Sequence, residues 1–536
     1  MNIRRRQLLA LSGTGLLGCG HTSFLACPVP PPPGVWNNVV NSLPQQMPDI
    51  MAYPGSTAAV VQLVRAAEAR GQRVRMTGTG HSFSDVALTD GMLLLPNRLS
   101  AMLSLDRARL RPAFAADRHL VRVQGGITIR ELNEHLDSKC LALANMGGYD
   151  AQTITGVAMT ATHGSGLNYG PIASQIASLQ LVTTSGEVRQ IEPANGITDP
   201  ANFPGFLEED GKLPVKLVQD DEEFDAVSVS MGSMGIVTAV VLKTVDKFWL
   251  REKRTLHLWS EMSKPGGYLD TLVHRPGASG YPDHVEIYIN PYENRAGDHH
   301  CVLTQRYRLQ SLPKPTLDSA NRGILGEGGL FDDARLRKLS EGALAKLLDG
   351  SNARGLANIL DDMLKSQLDQ NYTAESYKVF NLGSINQLRA HGIEMAFPLE
   401  QTIPATNALF QQAKVEFAAG RHHSVPFSLR FVKAADSFLA MQHGRNTMML
   451  EMGALVQARG SRTLLQNYEQ FFIDRFAARP HWGLDMSVLK SWSQVEALYG
   501  AQPAQAWRRV YERLNSKGTF NGKLTDRLGI SVVNGA

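Results

Sequence analysis

Three glycine-rich segments carry most of the chemistry that can be read from this chain. The first, Thr77-Gly78-Thr79-Gly80-His81-Ser82-Phe83-Ser84, combines two glycines with four hydroxyl residues. With few bulky side chains in the way, its backbone N–H groups can converge on an anion such as a pyrophosphate. His81 adds a nucleophilic imidazole. Taken alone, the loop also reads as a tight surface turn with an exposed histidine. The second segment, Thr155-Gly156-Val157-Ala158-Met159-Thr160-Ala161-Thr162-His163-Gly164-Ser165-Gly166, is long and mostly small, so backbone can approach a flat ligand closely. The third spans 227–235 and places Gly232 and Gly235 just before the apolar run Ile236 to Leu242. Strands separate the three, and together they read as one ligand threaded between subdomains. None is a G-x-G-x-x-G turn opening a long helix, so a doubly wound nucleotide-binding domain is not indicated.

The elements that must position these loops alternate in type. Val60, Leu63, Val64 and Ala67 recur at helical spacing over 58–70, with Gly71 placed to stop the helix. Arg73 to Met76 reads as a short strand running straight into the first loop. Leu120 to Val123 reads as a strand ending in Gly125-Gly126, and Ile129 to Leu136 as a helix. Leu141 to Met146 leads into Gly147-Gly148, and Ile176 to Thr183 reads as a strand. Asp220 to Glu223 reads as a solvated acidic loop. Beyond residue 245 the texture changes. His284 to Ile289, Glu394 to Phe397 and Pro426 to Val432 alternate as sheet strands, and Asn407 to Ala418 reads as a helix with a core-facing stripe. The stretch 310–370 is looser, with Gly323, Gly326, Gly328 and Gly329 followed by a helical pattern in Leu336, Leu339, Leu344 and Leu348.

Composition removes several function classes. Of 536 residues, 43% are hydrophobic, enough for a sizeable core. Lys+Arg exceeds Asp+Glu by 54 − 50 = +4, with no basic stripe, so a nucleic-acid partner is not expected. Cys19, Cys27, Cys140 and Cys301 have no metal-ligand spacing, and no metal is expected. Residues 1–27 read as an export signal. Arg4 to Arg6 precede an apolar run, Leu8 to Gly18, that is too short to span a bilayer. Arg5-Arg6-Gln7-Leu8-Leu9 resembles a twin-arginine signal, a route for folded proteins that often carry a cofactor, which points to a periplasmic or secreted location. Leu16-Leu17-Gly18-Cys19 resembles a lipobox with a bulky Leu17, so a lipid anchor at Cys19, tethering the protein to a membrane, stands beside an ordinary leader. Residues 28–40 form a proline-rich spacer.

In this order, T-G-T-G-H-S-F-S, T-A-T-H-G-S-G and S-M-G-S-M-G-I-V-T are similar to the FAD-binding domain of the vanillyl-alcohol-oxidase superfamily. Arg479-Pro480-His481-Trp482-Gly483 and Lys517-Gly518-Thr519-Phe520-Asn521 resemble segments of its aldonolactone and alditol oxidase branch. The resemblance covers 50–245 and 375–536. It implies an α+β protein: a two-subdomain FAD-binding domain over 41–245, an α+β substrate cap built on a large antiparallel sheet over 246–470, and a segment over 471–536 that returns to the flavin. It gives His81 the role of covalent attachment to the 8α-methyl carbon of FAD. A noncovalent FAD beside a hydrogen-bonding His81 is the alternative. Thr77, Gly78, Thr79, Gly80, Ser82, Gly125, Thr160, Thr162, Gly164, Ser165, Gly166, Gly232 and Gly235 are expected to line the cofactor. His163 is expected beside it, bonded to loop backbone or taking part in turnover. Asn521 is expected near the ring or capping a turn. Gly147 falls where the family holds a gatekeeper over the flavin edge. A glycine there leaves room for dioxygen, which implies an oxidase releasing hydrogen peroxide. Gly147 serving only a turn with Gly148 is the plainer reading, and a flavin dehydrogenase with a quinone or cytochrome acceptor is the alternative function.

The cap carries departures from the resemblance. Arg430 in Ser428-Leu429-Arg430 matches the family's E-x-R pair, and residues 428 and 430 share one face of a strand. Arg430 fits stabilisation of a reduced flavin anion or a developing alkoxide. Ser428 stands in place of the acid, Glu451 where polyol oxidases of this type carry a histidine, and Leu484 where a lysine usually follows H-W-G. The substrate is therefore expected to be an alcohol, polyol or lactone that presents a CH–OH but is less hydrophilic than a sugar alcohol, or is held differently. Glu451 is the candidate general base or hydroxyl anchor opposite Arg430; a solvated strand residue is its plainer reading. His481 and Trp482 are expected to shape the flavin-side wall.

Overall fold

The computed structural model describes residues 35–41, 43, 48–205, 213–274, 281–309, 339–366, 368, 372–382 and 389–533. The export signal over 1–27 with Cys19, the prolines of the spacer, the four glycines at 323–329 and Leu336 lie outside the described residues.

The first half folds around two sheets. The helix Thr57–Glu68 opens with Ser56, whose side chain accepts from the Ala59 N–H, and buries Val60, Val61, Val64 and Ala67. That stripe packs with Val74, Met92 and Leu94 of a parallel three-stranded sheet, Ile50–Ala52, Met92–Leu94 and Val74–Met76 in spatial order. The first glycine loop leaves the end of Val74–Met76. A six-stranded sheet runs Met102–Leu103, Leu120–Gln124, Ile236–Lys243, Ile176–Val182, Val188–Glu192, Lys216–Gln219. Its strand Ile176–Val182 is buried throughout, Ser178 and Gln180 included. One sequence expectation is corrected here. Asp220 to Glu223 is a helix start and not a loop: Asp220 caps the helix Asp221–Val227, Asp220 and Asp221 are exposed, and Glu223 is buried between Arg189 (3.1 Å) and Arg513 (2.8 Å).

The second half is an eight-stranded sheet ordered Tyr372–Glu375, Trp249–Leu258, His300–Leu309, His284–Ile289, Phe427–Val432, Thr447–Leu455, Ala390–Pro398, Arg479–Pro480, with every neighbouring pair antiparallel. Period-2 alternation divides its faces. Phe427, Leu429, Phe431, Ile393, Phe397 and Leu450 pack into a core with Leu409 and Phe410 of helix Thr402–Ala418 and Phe472 of helix Ser461–Phe476. The first of these helices begins five residues before Asn407, because Pro404 lies in its first turn, where a missing N–H costs nothing. The opposite face carries Glu286, Arg430, Glu394 and Glu451 and covers the glycine loops.

Two seams join the halves. Ser165 Oγ donates to the Val285 carbonyl and accepts from the Phe431 N–H at 3.0 Å, while the Gly166 N–H bonds the Phe431 carbonyl and His284 Nδ1 donates to the Ser165 carbonyl at 2.7 Å. At the other seam the chain leaves the sheet at Arg479–Pro480 and crosses to the first loop, where the Phe83 N–H bonds the Gly483 carbonyl (2.8 Å) and Ser84 Oγ donates to the Trp482 carbonyl (2.6 Å). Ser165→Ala strands the buried Phe431 N–H. Unfolding free energy from chemical denaturation is expected to fall by about 1–3 kcal/mol; an unchanged value would show that the seam does not depend on this hydroxyl.

Candidate active site

Between the halves lies a cleft of about 250 Å³. Its walls include Thr77, Gly78, Thr79, Gly80, His81 and Ser82 from the first loop, Gly147 and Gly148, and Thr160, Thr162 and His163 from the second. Gly232 and Gly235 come from the third loop, and Glu394, Arg430, Glu451, His481 and Leu484 from the cap side. In the first loop, Thr79 Oγ1 lies 3.0 Å from His81 Nδ1 and fixes the ring.

Five residues expected to line the cofactor sit elsewhere. Gly125 lies one step back, its carbonyl accepting from Thr155 Oγ1 (2.8 Å), and Thr155 makes the wall instead. Gly164 turns the chain after His163 and offers it a backbone carbonyl. Ser165 and Gly166 are spent on the seam to the cap. Asn521 is fully bonded within the C-terminal segment, accepting from Tyr511 (2.6 Å) and Asn515 (2.9 Å) and donating to the Val532 carbonyl (2.7 Å). Trp482 is also no wall residue: it is wholly buried, donates to the Leu439 carbonyl (2.6 Å) and stacks on Tyr499.

The cap side of the cleft is built on Arg430. Its Nη1 lies 2.6 Å from Glu451 and 3.5 Å from Glu394, and its Nε 2.9 Å from Glu286. Register explains the convergence: Glu286 pairs directly with Arg430, Ser428 with Glu451, and Glu394 with Glu451. The acid absent at position 428 is thus replaced from neighbouring strands, and Ser428 Oγ reaches Glu451 at 3.4 Å. Behind the cleft the charges continue to alternate, with Glu286 to Arg306 at 3.4 Å, Arg306 to Glu252 at 2.8 Å and Glu252 to Arg254 at 2.9 Å. Tyr288 adds a hydroxyl to Glu286 at 3.1 Å.

These surroundings push the two facing carboxyls apart. Burial, with Glu394 and Glu286 nearby, pushes Glu451 up despite the pull of Arg430. Burial acts the same way on Glu394, but His163, His481 and Arg430 outweigh it and hold that carboxyl down. Tyr149, on the cleft wall, is pushed up to about 12 by burial and the Glu451 charge. Burial pulls His481 down to about 4, so it is neutral at pH 7. Such a split between neighbouring carboxyls separates a proton acceptor from a fixed charge.

His163, Glu394 and His481 offer ligand atoms within 4.8 Å of one another, a spacing that would suit a metal. Hydrogen-bond bookkeeping argues otherwise. His481 Nδ1 accepts from the Gly483 N–H (2.9 Å), so in the neutral ring Nε2 keeps its proton and faces Glu394 at 3.9 Å. His163 Nδ1 donates to the Gly164 carbonyl (2.8 Å), and its Nε2 lies 3.3 Å from Glu394. With the His481 ring already committed at Nδ1, the three do not present three free ligand atoms. Glu394, Glu286 and Tyr149 were not among the residues singled out in the sequence. The available signal was the polar alternate face of His284-Val285-Glu286-Ile287-Tyr288-Ile289 and of Glu394-Met395-Ala396-Phe397 in a sheet covered on both sides.

Comparison with known proteins supplies the class. Residues 48–192 match the FAD binding domain family and residues 280–528 the D-arabinono-1,4-lactone oxidase family. This chain is an FAD-linked oxidoreductase. An L-gulono-1,4-lactone dehydrogenase of Mycobacterium tuberculosis is 28% identical over 444 residues, 81% of this chain and 86% of that protein. An L-gulonolactone oxidase of Scyliorhinus torazame is 29% identical over 477 residues, 88% of this chain and 93% of its own length. A solvent-stable cholesterol oxidase matches the fold with TM-score 0.65 at 16% identity, covering 92% of this chain and 97% of that one. The cholesterol oxidase of B. sterolicum gives 0.66 at 12% identity, covering 94% and 100%.

The cleft of this oxidoreductase fits a dinucleotide. Small-residue loops from both halves of the FAD-binding domain face one another across it. At their junction Arg75, fully buried, has guanidinium nitrogens with no protein partner among the described residues. In the cap, Glu286→Gln leaves both Arg430 and Arg306 short of a buried counter-charge. Denaturant unfolding is expected to show a loss of about 3–5 kcal/mol, against under ~1 kcal/mol for Ser428→Ala, whose contact is long. Equal losses would contradict the network as drawn.

Proposed function

We propose that this protein is an oxidase of an uncharged lactone or alcohol, with FAD held covalently by His81 and dioxygen as the electron acceptor. The observation that carries the reading is the Arg430–Glu451 pair at 2.6 Å on the cap wall, across the cleft from the glycine loops. Arg430, held by Glu286 behind it, donates to the substrate oxygen and stabilises it as the proton leaves. Glu451, pushed up but still able to ionise, accepts that proton. Bound FAD supplies the hydride acceptor and, on reaction with dioxygen, releases hydrogen peroxide. Leu484 and Tyr149 also line this wall, and its cation Arg430 already has carboxylate partners, which favours a neutral substrate over a sugar acid. The lactone class is supported by the names of the two relatives that match most of the chain. Export is part of the same reading and rests on Arg5-Arg6-Gln7-Leu8-Leu9, with a lipid anchor at Cys19 as its variant.

A base must be ionised to act, so turnover rises with pH along a limb placed above the ordinary carboxylate range. Glu451→Gln is expected to remove that limb and about 10²–10⁴-fold of the rate of anaerobic flavin reduction. An unchanged rate removes Glu451 from the mechanism. Dioxygen access is tested at Gly147, where an added Cβ meets only the His163 carbonyl at 3.4 Å and Thr162 Cγ2 at 3.5 Å, so alanine fits. Gly147→Ala should leave anaerobic reduction intact and slow reoxidation in air by about tenfold, ~1.4 kcal/mol of barrier. A wild-type protein that air hardly reoxidises, but an artificial acceptor does, would make it a dehydrogenase like the mycobacterial relative.

A further inference from the structure

Arg75 stands in an unusual position for a charged residue. It lies on the strand Val74–Met76, two residues before the first glycine loop begins, and its side chain is only 1% exposed. One nitrogen, Nη1, donates to the Met231 carbonyl at 2.6 Å; Nε and Nη2 have no hydrogen-bond partner among the described residues. The guanidinium occupies space that two glycines leave open. A Cβ on Gly232 would come within 2.9 Å of Nη1, and one on Gly522 within 2.2 Å of Nη2. Nearby acids are engaged elsewhere: Asp85 takes Arg527 through two contacts of 2.7 Å, and Asp526 takes Arg73 at 2.6 and 3.0 Å. Among the described residues no carboxylate forms an ion pair with Arg75.

An unpaired buried cation costs several kcal/mol, so its retention calls for an anion that arrives from outside the chain. Arg75 lines the cleft together with Gly78, Gly80 and Gly232. We propose that Arg75 is the fixed counter-charge for the diphosphate of the bound FAD, completing by charge what the loop N–H groups begin. The proposal rests on the FAD reading of the cleft. Burial pulls the guanidinium down to about 10, which leaves it charged throughout the physiological range. It acts through its charge: Nη1 lies on the side of Gly232 in the cleft wall, and the unbonded Nε and Nη2 on the side of Gly522. The bond from Nη1 to Met231 at the same time ties the third glycine loop to the first.

The test uses the full chain in a His81→Ala background, so that flavin binds reversibly, with binding followed by flavin fluorescence. FAD and riboflavin, which lacks both phosphates, are titrated into the stripped protein with Arg75 intact, with Arg75→Lys and with Arg75→Met. The expected result is that Arg75→Met weakens FAD by about ten- to a hundredfold while riboflavin affinity stays the same, and that Arg75→Lys falls between. Equal weakening of both flavins, or of neither, overturns the proposal. Should Arg75→Met fail to fold, the protein with Arg75 intact is melted with and without inorganic pyrophosphate. A rise in Tm that Arg75→Lys reduces supports the counter-charge, and no rise overturns it. If neither flavin binds with Arg75 intact, the FAD reading itself falls and takes the proposal with it.

Discussion

A largely buried arginine surrounded by three carboxylates is the constraint on which the cap depends. Arg430 cannot be desolvated without Glu286, Glu394 and Glu451, and each of those loses an opposing charge without it. The requirement fixes more than one side chain. Because partners must come from adjacent strands at set registers, the order of His284–Ile289, Phe427–Val432, Thr447–Leu455 and Ala390–Pro398 in the sheet is the order in which charges alternate. A slip of one residue in any of them would turn a charge into the core beneath and a phenylalanine or leucine toward the cleft.

The same network gives the site its chemical asymmetry. Glu286 and Glu394 are 3% exposed and tied on several sides, whereas Glu451 keeps a third of its side chain, 36%, open to the cleft it lines. A ligand entering there meets one carboxylate that can change protonation and an arginine whose charge is already balanced. His163 and His481 close the far side of Glu394 and keep it a fixed charge. On the opposite wall the loops that crowd the cleft contribute mostly backbone and hydroxyls, which suits a large, polar but rigidly held cofactor. The two halves meet through the seams at Ser165 and Phe83, so the alignment of cap and loops is set by backbone hydrogen bonds from each side.

Much of this was legible from residue order alone. Period-2 runs such as His284 to Ile289 and the small-residue loop at 77–84 have strong local signatures that the structure follows, whereas 155–166 begins within the helix Ile154–Met159 before the chain turns. Burial of Glu223 was not legible, because Arg189 and Arg513 are distant in sequence and an isolated acidic run looks solvated. Within the loops, composition could not separate Gly78 and Thr162, which reach the cleft, from Ser165 and Gly166, which are consumed by the cap. Small residues serve close approach to a ligand and to another strand equally well. The loss of an acid at position 428 pointed to a substrate less hydrophilic than a sugar alcohol, or held differently. Only the strand register shows that Glu451, Glu286 and Glu394 occupy its surroundings.

The most direct measurement is the visible absorption spectrum of the purified full-length protein, recorded before and after anaerobic addition of a neutral aldonolactone and again after acid precipitation. A flavin spectrum that bleaches with the lactone and stays with the pellet is the predicted result, since it joins cofactor, attachment at His81 and the CH–OH chemistry in one sample. A flavin that no lactone or alcohol reduces, or a protein that remains colourless after incubation with FAD, would contradict the account.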